Sequence, residues 1–465
     1  MSIQPATTTA FEWTVPVLIV GAGAAGLVAA LAACEQGADV VVLERDAVPR
    51  GSTALSAGLI PAAGTRWQRA AGIVDNVEVF AADIMAKAAG AADPDAVTTV
   101  THAIAPVLEG LADRYGLPFS LVADFSYPGH SARRMHGLPG RSGEELIGRL
   151  REAAAAAGAE IVTNAHVVAL YADDGQRIHG VAVQRPDGSE QTVGCATSVL
   201  ACGGYGGNKA LVARHIPELA QALYFGHAGN RGDALLWGQA LGAATRHLAG
   251  HQAHGSVAHP HGILIAYATI TEGGFQVNTT GLRFSNEIKG YSEQAAVVTA
   301  QPGGVAYSVF DGRIAAIARQ FEDFRRAEQA GAVLSAATPA ALAAAMGLDG
   351  AVFAATFAEV QRMKAHGESD RFGRPFAGTA QLAPPYHAVK VTGALFHTQG
   401  GLVVDGQGRV LRENGTPLPN LFAAGGAAAG VSGNEASGYL SGNGLLTALA
   451  YGYCAGRAAA ASEAL

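Results

Sequence analysis

The feature that most limits the fold lies near the amino terminus, where residues 16–46 read PVLIVGAGAAGLVAALAACEQGADVVVLERD. An apolar run ends in Gly21-x-Gly23-x-x-Gly26, an alanine-rich helical stretch follows, and a second apolar run ends at Glu44. Strand, glycine turn, helix, strand and acid in this order are typical of a dinucleotide-binding βαβ unit. We predict that Gly21 forms the turn, Gly23 admits a pyrophosphate, Gly26 allows close helix–strand packing, and Glu44 accepts hydrogen bonds from a ribose.

Composition excludes several other classes of protein. With 465 residues, 49% hydrophobic and 15% charged, the chain can form two or three domains with large cores. A formal net charge of -7 without a concentrated basic face argues against a nucleic-acid partner. A basic, apolar leader and an apolar run of ~20 residues are both missing, so we expect a cytoplasmic protein without a membrane span.

The spacing of the cysteines and histidines matches no metal-binding motif. The four cysteines are far apart and form no zinc or redox motif: Cys34, Cys195, Cys202 and Cys454. The H-x-x-H and H-x-H spacings of His251, His254, His259 and His261 lack accompanying acids or cysteines. We therefore predict no metal site.

Three further segments favour FAD over NAD as the dinucleotide. After Glu44, the run RDAVPRGSTALSAGLIPAAG differs from the helix that ordinarily follows the second strand of an NAD domain. Residues 196–208, ATSVLACGGYGGN, predict a buried strand that ends in a glycine turn. Near the carboxyl terminus, NLFAAGG and SGNGLLTALAYG predict a strand, a glycine-rich loop and a long helix. Together these segments predict an FAD domain.

These motifs, with RGDALLWGQALGA, GFQVNTTGLRFSNE and HTQGGLVVD, resemble the fumarate reductase/succinate dehydrogenase flavoprotein superfamily, especially its stand-alone soluble branch. The resemblance covers nearly the whole chain. It implies an α/β fold: a Rossmann-like FAD-binding domain of the glutathione reductase type, interrupted by an α+β capping domain. We place the FAD-binding domain at 1–239 and 373–465, and the capping domain at 240–372.

The resemblance also implies which residues bind FAD. It implies that Gly51 to Gly58 wrap the isoalloxazine ring and that the helix near Asn443 points its positive end at the flavin. The Ser-His-Thr segment that tethers flavin in membrane succinate dehydrogenases has no histidine here, so we expect noncovalent FAD, and Gly426 replaces the family's usual acid. The predicted FAD contacts are Gly21, Gly23, Ala24, Ala25, Gly26, Glu44, Arg45, Gly51, Ser52, Thr53, Ser56, Ala57, Gly58, Val167, Ala201, Gly203, Asp233, Gly425, Ser441, Gly442, Asn443 and Leu445.

At the substrate positions the chain departs from the fumarate reductases. The family's two histidines are kept as His254 and His397, but Tyr291 and Tyr439 replace its two substrate arginines. Tyrosine cannot supply the bidentate fork of arginine, so we expect a small dicarboxylate to bind poorly. The tyrosines resemble those of 3-ketosteroid dehydrogenases, which implies that Tyr291 is the catalytic acid/base and that Tyr439 binds the substrate carbonyl.

The relay acid of the fumarate reductases and its arginine partner align approximately with Tyr267 and Ile270. We therefore expect Tyr267 to support Tyr291. Each position also has a purely structural alternative: Tyr291 as a packed ring, and His397 as a core histidine that donates to a backbone carbonyl.

The resulting prediction is an FAD-dependent oxidoreductase that acts on CH–CH groups and desaturates or reduces the bond α,β to a ketone, in a cyclic or 3-ketosteroid-like substrate. Two alternatives stay open. One is an ene-reductase or dehydrogenase for an unsaturated carboxylate, using His254, His397 and an upstream arginine. The other is a flavin-binding protein without catalysis. We expect an external electron donor or acceptor, because no second complete dinucleotide motif is present.

Three expectations concern local structure. Arg133, Arg134 and Arg141 lie either on a solvated loop before a helix capped by Ser142 or on a rim that contacts FAD or an acidic substrate group. GGFQVNTTGLRF predicts two short strands joined around Thr280-Gly281. Residues 313–368 are alanine-rich and predict helices with breaks at glycines.

Overall fold

The computed structural model describes residues 2–6, 9–122 and 127–463. The chain forms two compact units: unit 1 consists of 1–211, 226–251 and 397–465, and unit 2 of 212–225 and 252–396. The predicted capping segment, 240–372, overlaps unit 2, which also includes 373–396. Its capping role stays a prediction.

Unit 1 is built on a mixed sheet. Strands Glu190–Leu200, Trp13–Val20 and Val40–Leu43 pair in parallel in that order, and Pro417–Ala423 pairs in parallel with Glu190–Leu200. The ends of these strands are apolar and buried, as is usual for parallel strands covered on both faces. The other strands of the sheet are Ser2–Pro5, Glu160–Val162, His166–Ala172, Ile178–Gln184 and Arg409–Leu411.

Helices surround this sheet, and helix Ala24–Cys34 packs against the carboxyl-terminal helix Asn443–Glu463. The predicted cap is confirmed: Ser142 accepts a hydrogen bond from Glu145 N at 3.1 Å at the start of helix Gly143–Ala156. The other helices of unit 1 are Gly51–Ala54, Arg66–Ala70, Val77–Lys87, Pro94–Tyr115 and Asp233–Ala240, with 3-10 turns at Gly425–Ala427 and Ala436–Gly438; helix Lys209–His215 crosses the limit between the units. Small sheets pair Ile60–Pro61 and Ser120–Leu121 with Met135–Gly137, and Thr245–Arg246 with Gly401–Leu402.

Unit 2 is built on a sheet around the long strand Tyr386–Thr398. The path through this sheet runs Ile263–Leu264, His251–Ala258, Tyr386–Thr398, Val305–Asp311 and Phe275–Asn278, and Leu223–Tyr224 and Val333–Ala336 also pair with the long strand. Its helices are Ala268–Thr271, Glu293–Thr299, Gly312–Ala318, Glu322–Gln329, Pro339–Met346 and Gly350–His366, with 3-10 turns at Pro217–Leu219, Glu287–Lys289 and Pro302–Gly304. The predicted all-helical stretch 313–368 is wrong at Val333–Ala336, because these residues add a strand to the buried start of Tyr386–Thr398.

The predicted hairpin around Thr280-Gly281 is also wrong. Only Phe275–Asn278 is a strand, and it pairs with Val305–Asp311. The Asn278 side chain accepts hydrogen bonds from the backbone of Thr280 and Leu282, which closes the turn locally. Arg283 then enters a buried ion-pair network, so the chain leaves the sheet. Over the described residues, the helices are too short or too polar to cross a membrane.

Candidate active site

The predicted FAD residues meet at one edge of the unit 1 sheet. Gly21, Glu44 and Ala201 directly follow the strands Trp13–Val20, Val40–Leu43 and Glu190–Leu200, and Gly425 follows Pro417–Ala423 by one residue. Because these strands are parallel, their carboxyl ends lie at the same edge. Open α/β sheets bind their ligands at this edge.

The glycine turn has the geometry of a phosphate-binding loop. Gly21 has φ 103°, and a Cβ added there would lie 2.6 Å from the Ala201 carbonyl oxygen. A Cβ at Gly26 would overlap the Gly21 carbonyl oxygen. Gly23 provides no side-chain cap for helix Ala24–Cys34, whose first turn has no acidic residue. The amino-terminal N–H groups of this helix therefore suit an anion.

Glu44 is held beside this turn. One carboxylate oxygen accepts from Ala22 N at 2.8 Å and the other from Asp46 N at 3.0 Å. The side chain is buried, with 9% of its residue surface exposed. This orientation fits the predicted role of Glu44 as an acceptor for ribose hydroxyls.

The hydroxyl-rich segment after Glu44 packs against the same helix start. Thr53 Oγ1 accepts from Ala24 N at 3.1 Å, and Ser52 Oγ accepts from Asn230 Nδ2 at 2.8 Å. Arg45 donates to Gly229 O at 3.2 Å. A loop around residues 227–230 is thereby fixed to the predicted cofactor residues.

The remaining predicted contacts are also placed in unit 1. Gly51, Ser52 and Thr53 lie in the short helix Gly51–Ala54, Ser56 Oγ donates to Thr53 O at 2.7 Å, and Gly58 has φ 64°. Burial raises the pKa of Asp233, an effect that Arg45 and Arg231 oppose. Exposed Ala57 follows Ser56, Val167 lies on strand His166–Ala172, Gly203 is in the turn after Ala201, and Ser441, Gly442 and Leu445 flank the start of helix Asn443–Glu463. The helix start without an acidic residue, the glycine turn and Glu44 fit FAD.

His397 and Tyr439 form an aromatic pair in unit 1. Their ring centroids are 5.4 Å apart and their planes are at 73°. Burial lowers the pKa of His397 to about 4. Burial also raises the pKa of Tyr439 to about 12, against backbone hydrogen bonds from Gly444 and Gly442. At neutral pH the pair is therefore an uncharged imidazole and an uncharged phenol, both able to donate to an oxygen.

His254, Tyr267 and Tyr291 come together in unit 2. The His254 ring stacks on Tyr291 at 5.1 Å and on Phe396 at 5.8 Å, and Tyr267 lies edge-on to both His254 and Tyr291. Phe396 stacks in turn on Phe225 at 4.8 Å. We call these five residues the aromatic cluster. The aromatic cluster therefore contains two phenol groups and one imidazole that pack against each other and against phenylalanine rings.

Hydrogen bonds define the polar edges of this cluster. His254 Nδ1 accepts from Ser256 N at 3.1 Å, which leaves its proton on Nε2 in the neutral ring. Burial lowers the pKa of His254 to about 3. Tyr267 donates to the Glu287 backbone oxygen at 2.7 Å, and burial raises its pKa well above the usual value. The histidine is thus neutral and Tyr267 keeps its proton.

Next to the cluster lies a buried network of two arginines and two carboxylates. Arg283 binds Glu287 at 2.6 Å and also pairs with Asp370, and Arg374 pairs with Glu287 at 3.1 Å. Although burial alone would raise it, Arg374 and Arg283 hold the pKa of Glu287 below its usual value. Both arginines are therefore neutralised by acids of the protein.

Of the three upstream arginines, Arg134 fits neither expectation. It is 1% exposed, pairs with Asp75 at 2.8 Å and contacts Asp83 at 2.5 Å. A solvated loop is wrong for this residue, and its charge is compensated by two acids. Its Nη1 also lies 3.4 Å from His130 Nδ1, while His130 Nε2 lies 2.9 Å from Ser441 O. Arg134 thus supports the loop before helix Asn443–Glu463.

Sequence reasoning missed several residues at these sites. Phe225 and Phe396 are ordinary apolar positions, so no signal in the sequence links them to His254. Gln399 contacts His397, with Gln399 Nε2 3.1 Å from His397 Nδ1. Because Gln399 lies two residues after His397 in an extended segment, both side chains point to the same face. This spacing could have identified Gln399 from the sequence.

Comparison with known proteins agrees with this geometry. The model of the FAD binding domain family matches residues 16–445. A probable fumarate reductase of Shewanella frigidimarina is 31% identical over 98% of this chain and 77% of its own length. The chain belongs to this FAD-binding family of the fumarate reductase/succinate dehydrogenase superfamily. The predicted membership and the predicted FAD cofactor are confirmed, and the chain is a flavin-dependent oxidoreductase that acts on CH–CH groups.

Two other similar proteins match almost end to end. The 4-oxocyclohexanecarboxylate 2-dehydrogenase of Sinomonas cyclohexanicum is 27% identical, covering 97% of this chain and 96% of its own. The crystal structure of a 3-ketosteroid-Δ4-(5α)-dehydrogenase from Rhodococcus jostii, in complex with 4-androstene-3,17-dione, is 26% identical. It superposes with a TM-score of 0.77 over 98% of this chain and 99% of that one. The predicted α/β fold of an FAD-binding flavoprotein is confirmed.

Proposed function

We propose that this flavoenzyme desaturates, or in reverse reduces, the carbon–carbon bond α,β to a ketone, in a cyclic or 3-ketosteroid-like substrate. One observation carries the proposal: His254, His397 and Tyr439 are uncharged, and the buried arginines of unit 2 already pair with acids. His254 is uncharged, and Arg283 and Arg374 neutralise Glu287 and Asp370. Neutral donors suit a carbonyl oxygen, whereas a dicarboxylate needs uncompensated cations.

Each predicted residue has a role in this reaction. Tyr291 moves the proton at Cα, and Tyr439 with His397 donates hydrogen bonds to the carbonyl oxygen and so stabilises the enolate. When bound, FAD supplies the hydride acceptor or donor for Cβ at its N5. Tyr267 and His254 hold the Tyr291 ring through the stacked and edge-on contacts of the aromatic cluster. In desaturation the Cα proton would go to the phenolate form of Tyr291 and the Cβ hydride to bound FAD, so atoms and electrons balance as the double bond forms.

The comparisons support a ring ketone as the substrate class. By their printed names, both proteins that match this chain almost end to end act on such compounds. The identity to a probable fumarate reductase supports the competing function, reduction or formation of an unsaturated carboxylate. That function needs a cation for the carboxylate, and Arg134, the upstream candidate, already pairs with Asp75 and Asp83.

The first test is anaerobic bleaching of the flavin absorbance of the purified protein. The panel contains saturated cyclic ketones, 3-ketosteroids and succinate-like acids. Bleaching by ketones is the expected result. Bleaching by acids alone would replace the proposal with the carboxylate function.

The second test removes the proposed acid/base. Tyr291→Phe should lower turnover by at least about 10²-fold while the FAD absorbance of the purified protein stays unchanged. The control is Tyr386→Phe, which removes the hydroxyl of another tyrosine of unit 2, one that is buried and packs on Phe357. Turnover of Tyr291→Phe equal to that of the control would rule out the role of Tyr291. The external electron partner and the cytoplasmic location stay predictions.

A further inference from the structure

A chain of buried hydrogen bonds ends on His397. Asn443 Nδ2 donates to Ser432 Oγ at 3.1 Å, and Ser432 Oγ donates to Gln399 Oε1 at 2.8 Å. Gln399 Nε2 then faces His397 Nδ1 at 3.1 Å. Gln399, Ser432 and Asn443 are at most 5% exposed, so water does not compete for these bonds.

The direction of these bonds determines the protonation of His397. An amide nitrogen only donates, and a serine hydroxyl has a single hydrogen. Because Ser432 accepts from Asn443, its own hydrogen goes to Gln399 Oε1. The opposite end of the Gln399 amide is then a donor, so His397 Nδ1 must accept and carries no proton. In a neutral imidazole the proton is therefore on Nε2.

We propose that Gln399 is a positioning residue that holds His397 as the neutral tautomer with its proton on Nε2, ready to donate a hydrogen bond to a substrate oxygen. The tautomer rests on the orientations of the Asn443 and Gln399 amides in this hydrogen-bond chain. The acceptor, a ketone oxygen, rests on the proposed function. A neutral imidazole can stabilise negative charge on an oxygen without giving up its proton, which leaves proton transfer at Cα to Tyr291.

The surroundings of the Nε2 edge agree with this assignment. A Cβ added at Gly444 would lie 3.1 Å from both Nε2 and Cε1 of His397. The glycine therefore leaves this edge of the ring uncovered by a side chain. An imidazolium would direct an Nδ1–H at the Gln399 amide hydrogens, which is unfavourable. Burial lowers the pKa of His397 independently of this contact, and a backbone hydrogen bond at Thr398 opposes that shift.

Histidine-selective ¹⁵N labelling of the FAD-loaded protein tests the tautomer directly. Long-range ¹H–¹⁵N spectra distinguish a protonated from an unprotonated ring nitrogen, and the signals missing from His397→Gln identify the residue. The expected result is a protonated Nε2 and an unprotonated Nδ1 that do not change between pH 8 and about pH 5.5. A protonated Nδ1 in the unmodified protein would overturn the inference.

Gln399→Glu reverses the polarity of the same contact. Its carboxylate accepts where the amide donated, so His397 should carry a proton on Nδ1 at pH 7. The matched control is Gln407→Glu, the same substitution at an exposed turn of unit 1. An unchanged His397 tautomer in Gln399→Glu would also overturn the inference. If Gln399→Glu does not fold, Ser432→Ala takes its place: the amide can then rotate, and the spectra should show both tautomers.

Kinetics separates positioning from a structural role. With a ketone that bleaches the flavin, Gln399→Glu should lower kcat by about 10²-fold, the usual effect of losing one oxyanion donor, with little change in KM or in bound FAD. A change in KM alone would contradict the assignment. If the spectra show the predicted tautomer but no ketone bleaches the flavin, the positioning role of Gln399 is kept and the proposed function is rejected.

Discussion

Replacing Glu287 by glutamine should destabilise unit 2 far more than the same change at a surface ion pair. Glu287 is 1% exposed and compensates Arg283 and Arg374. Glu287→Gln keeps the shape and an acceptor for Gln276 N, which now donates to the carboxylate at 2.9 Å. It removes one negative charge from a network of two cations and two anions. Breaking a buried pair in this way costs about 3–5 kcal/mol.

The control is Glu328→Gln, because Glu328 pairs with Arg319 at 2.7 Å with side chains 27% and 45% exposed. An exposed pair contributes less than about 1 kcal/mol. At about 2–4 °C per kcal/mol for a unit of this size, Glu287→Gln should lower the unfolding temperature by about 6–20 °C, and the control by under about 4 °C. Differential scanning calorimetry of the FAD-loaded variants measures both. Equal shifts would refute the claim that burial makes this network costly to break.

The pH dependence of the same variant gives a second check. Because the folded-state pKa of Glu287 is lowered, its charge stabilises the protein above the unfolded value of about 4.3, and this contribution is lost as pH falls below it. Glu287→Gln has no such carboxylate. Its acid-induced loss of stability should therefore be shallower than that of the unmodified protein, when both are followed by urea unfolding at a series of pH values.

Three further predictions concern unit 1. Gly26→Ala should abolish FAD binding, because its Cβ would overlap the Gly21 carbonyl oxygen; flavin absorbance of the purified variant checks this. Gly148→Ala, in a helix with open space around an added Cβ, should instead stabilise the protein by about 1 kcal/mol, measured by urea unfolding. Burial lowers the pKa of His136 to about 4, so between pH 4 and about 6.5 only the unfolded chain binds this proton. In that range the free energy of unfolding should decrease by about 1.4 kcal/mol for each unit by which the pH is lowered. His136→Gln should remove that slope, and His102→Gln, at an exposed position, should not.

The parts of the fold that the sequence predicts are those in which local pattern and tertiary environment agree. The first βαβ unit is an example, because glycine spacing, apolar runs and the acid at Glu44 all favour the same structure. The strand Val333–Ala336 was missed because its partner, Tyr386–Thr398, lies about fifty residues away. The hairpin prediction failed because Arg283 binds Asp370, a contact between residues 87 apart. Alternation of apolar and polar residues carries no information about such distant partners.

The candidate site divides in the same way. Tyr291, Tyr439 and the two histidines were identified through resemblance, and the structure places Tyr291 against His254 and Tyr439 against His397. The protonation of Tyr439 and the two histidines depends on burial, and no sequence motif reports burial or partners that lie far away in the chain. The upstream arginines show this clearly, since the role of Arg134 is set by Asp75 and Asp83, which lie 59 and 51 residues before it.

Charge compensation within unit 2 supports the proposed class of substrate. The network of Arg283, Arg374, Glu287 and Asp370 is neutral as a whole, because each arginine has a carboxylate partner within the protein. An ionised carboxylate that loses its water in such surroundings must find a new cation or pay several kcal/mol of desolvation. A ketone has no net charge to desolvate, and two neutral donors are enough to stabilise the charge that forms on its oxygen during enolisation. This difference supports the proposed ketone substrate over a dicarboxylate such as fumarate.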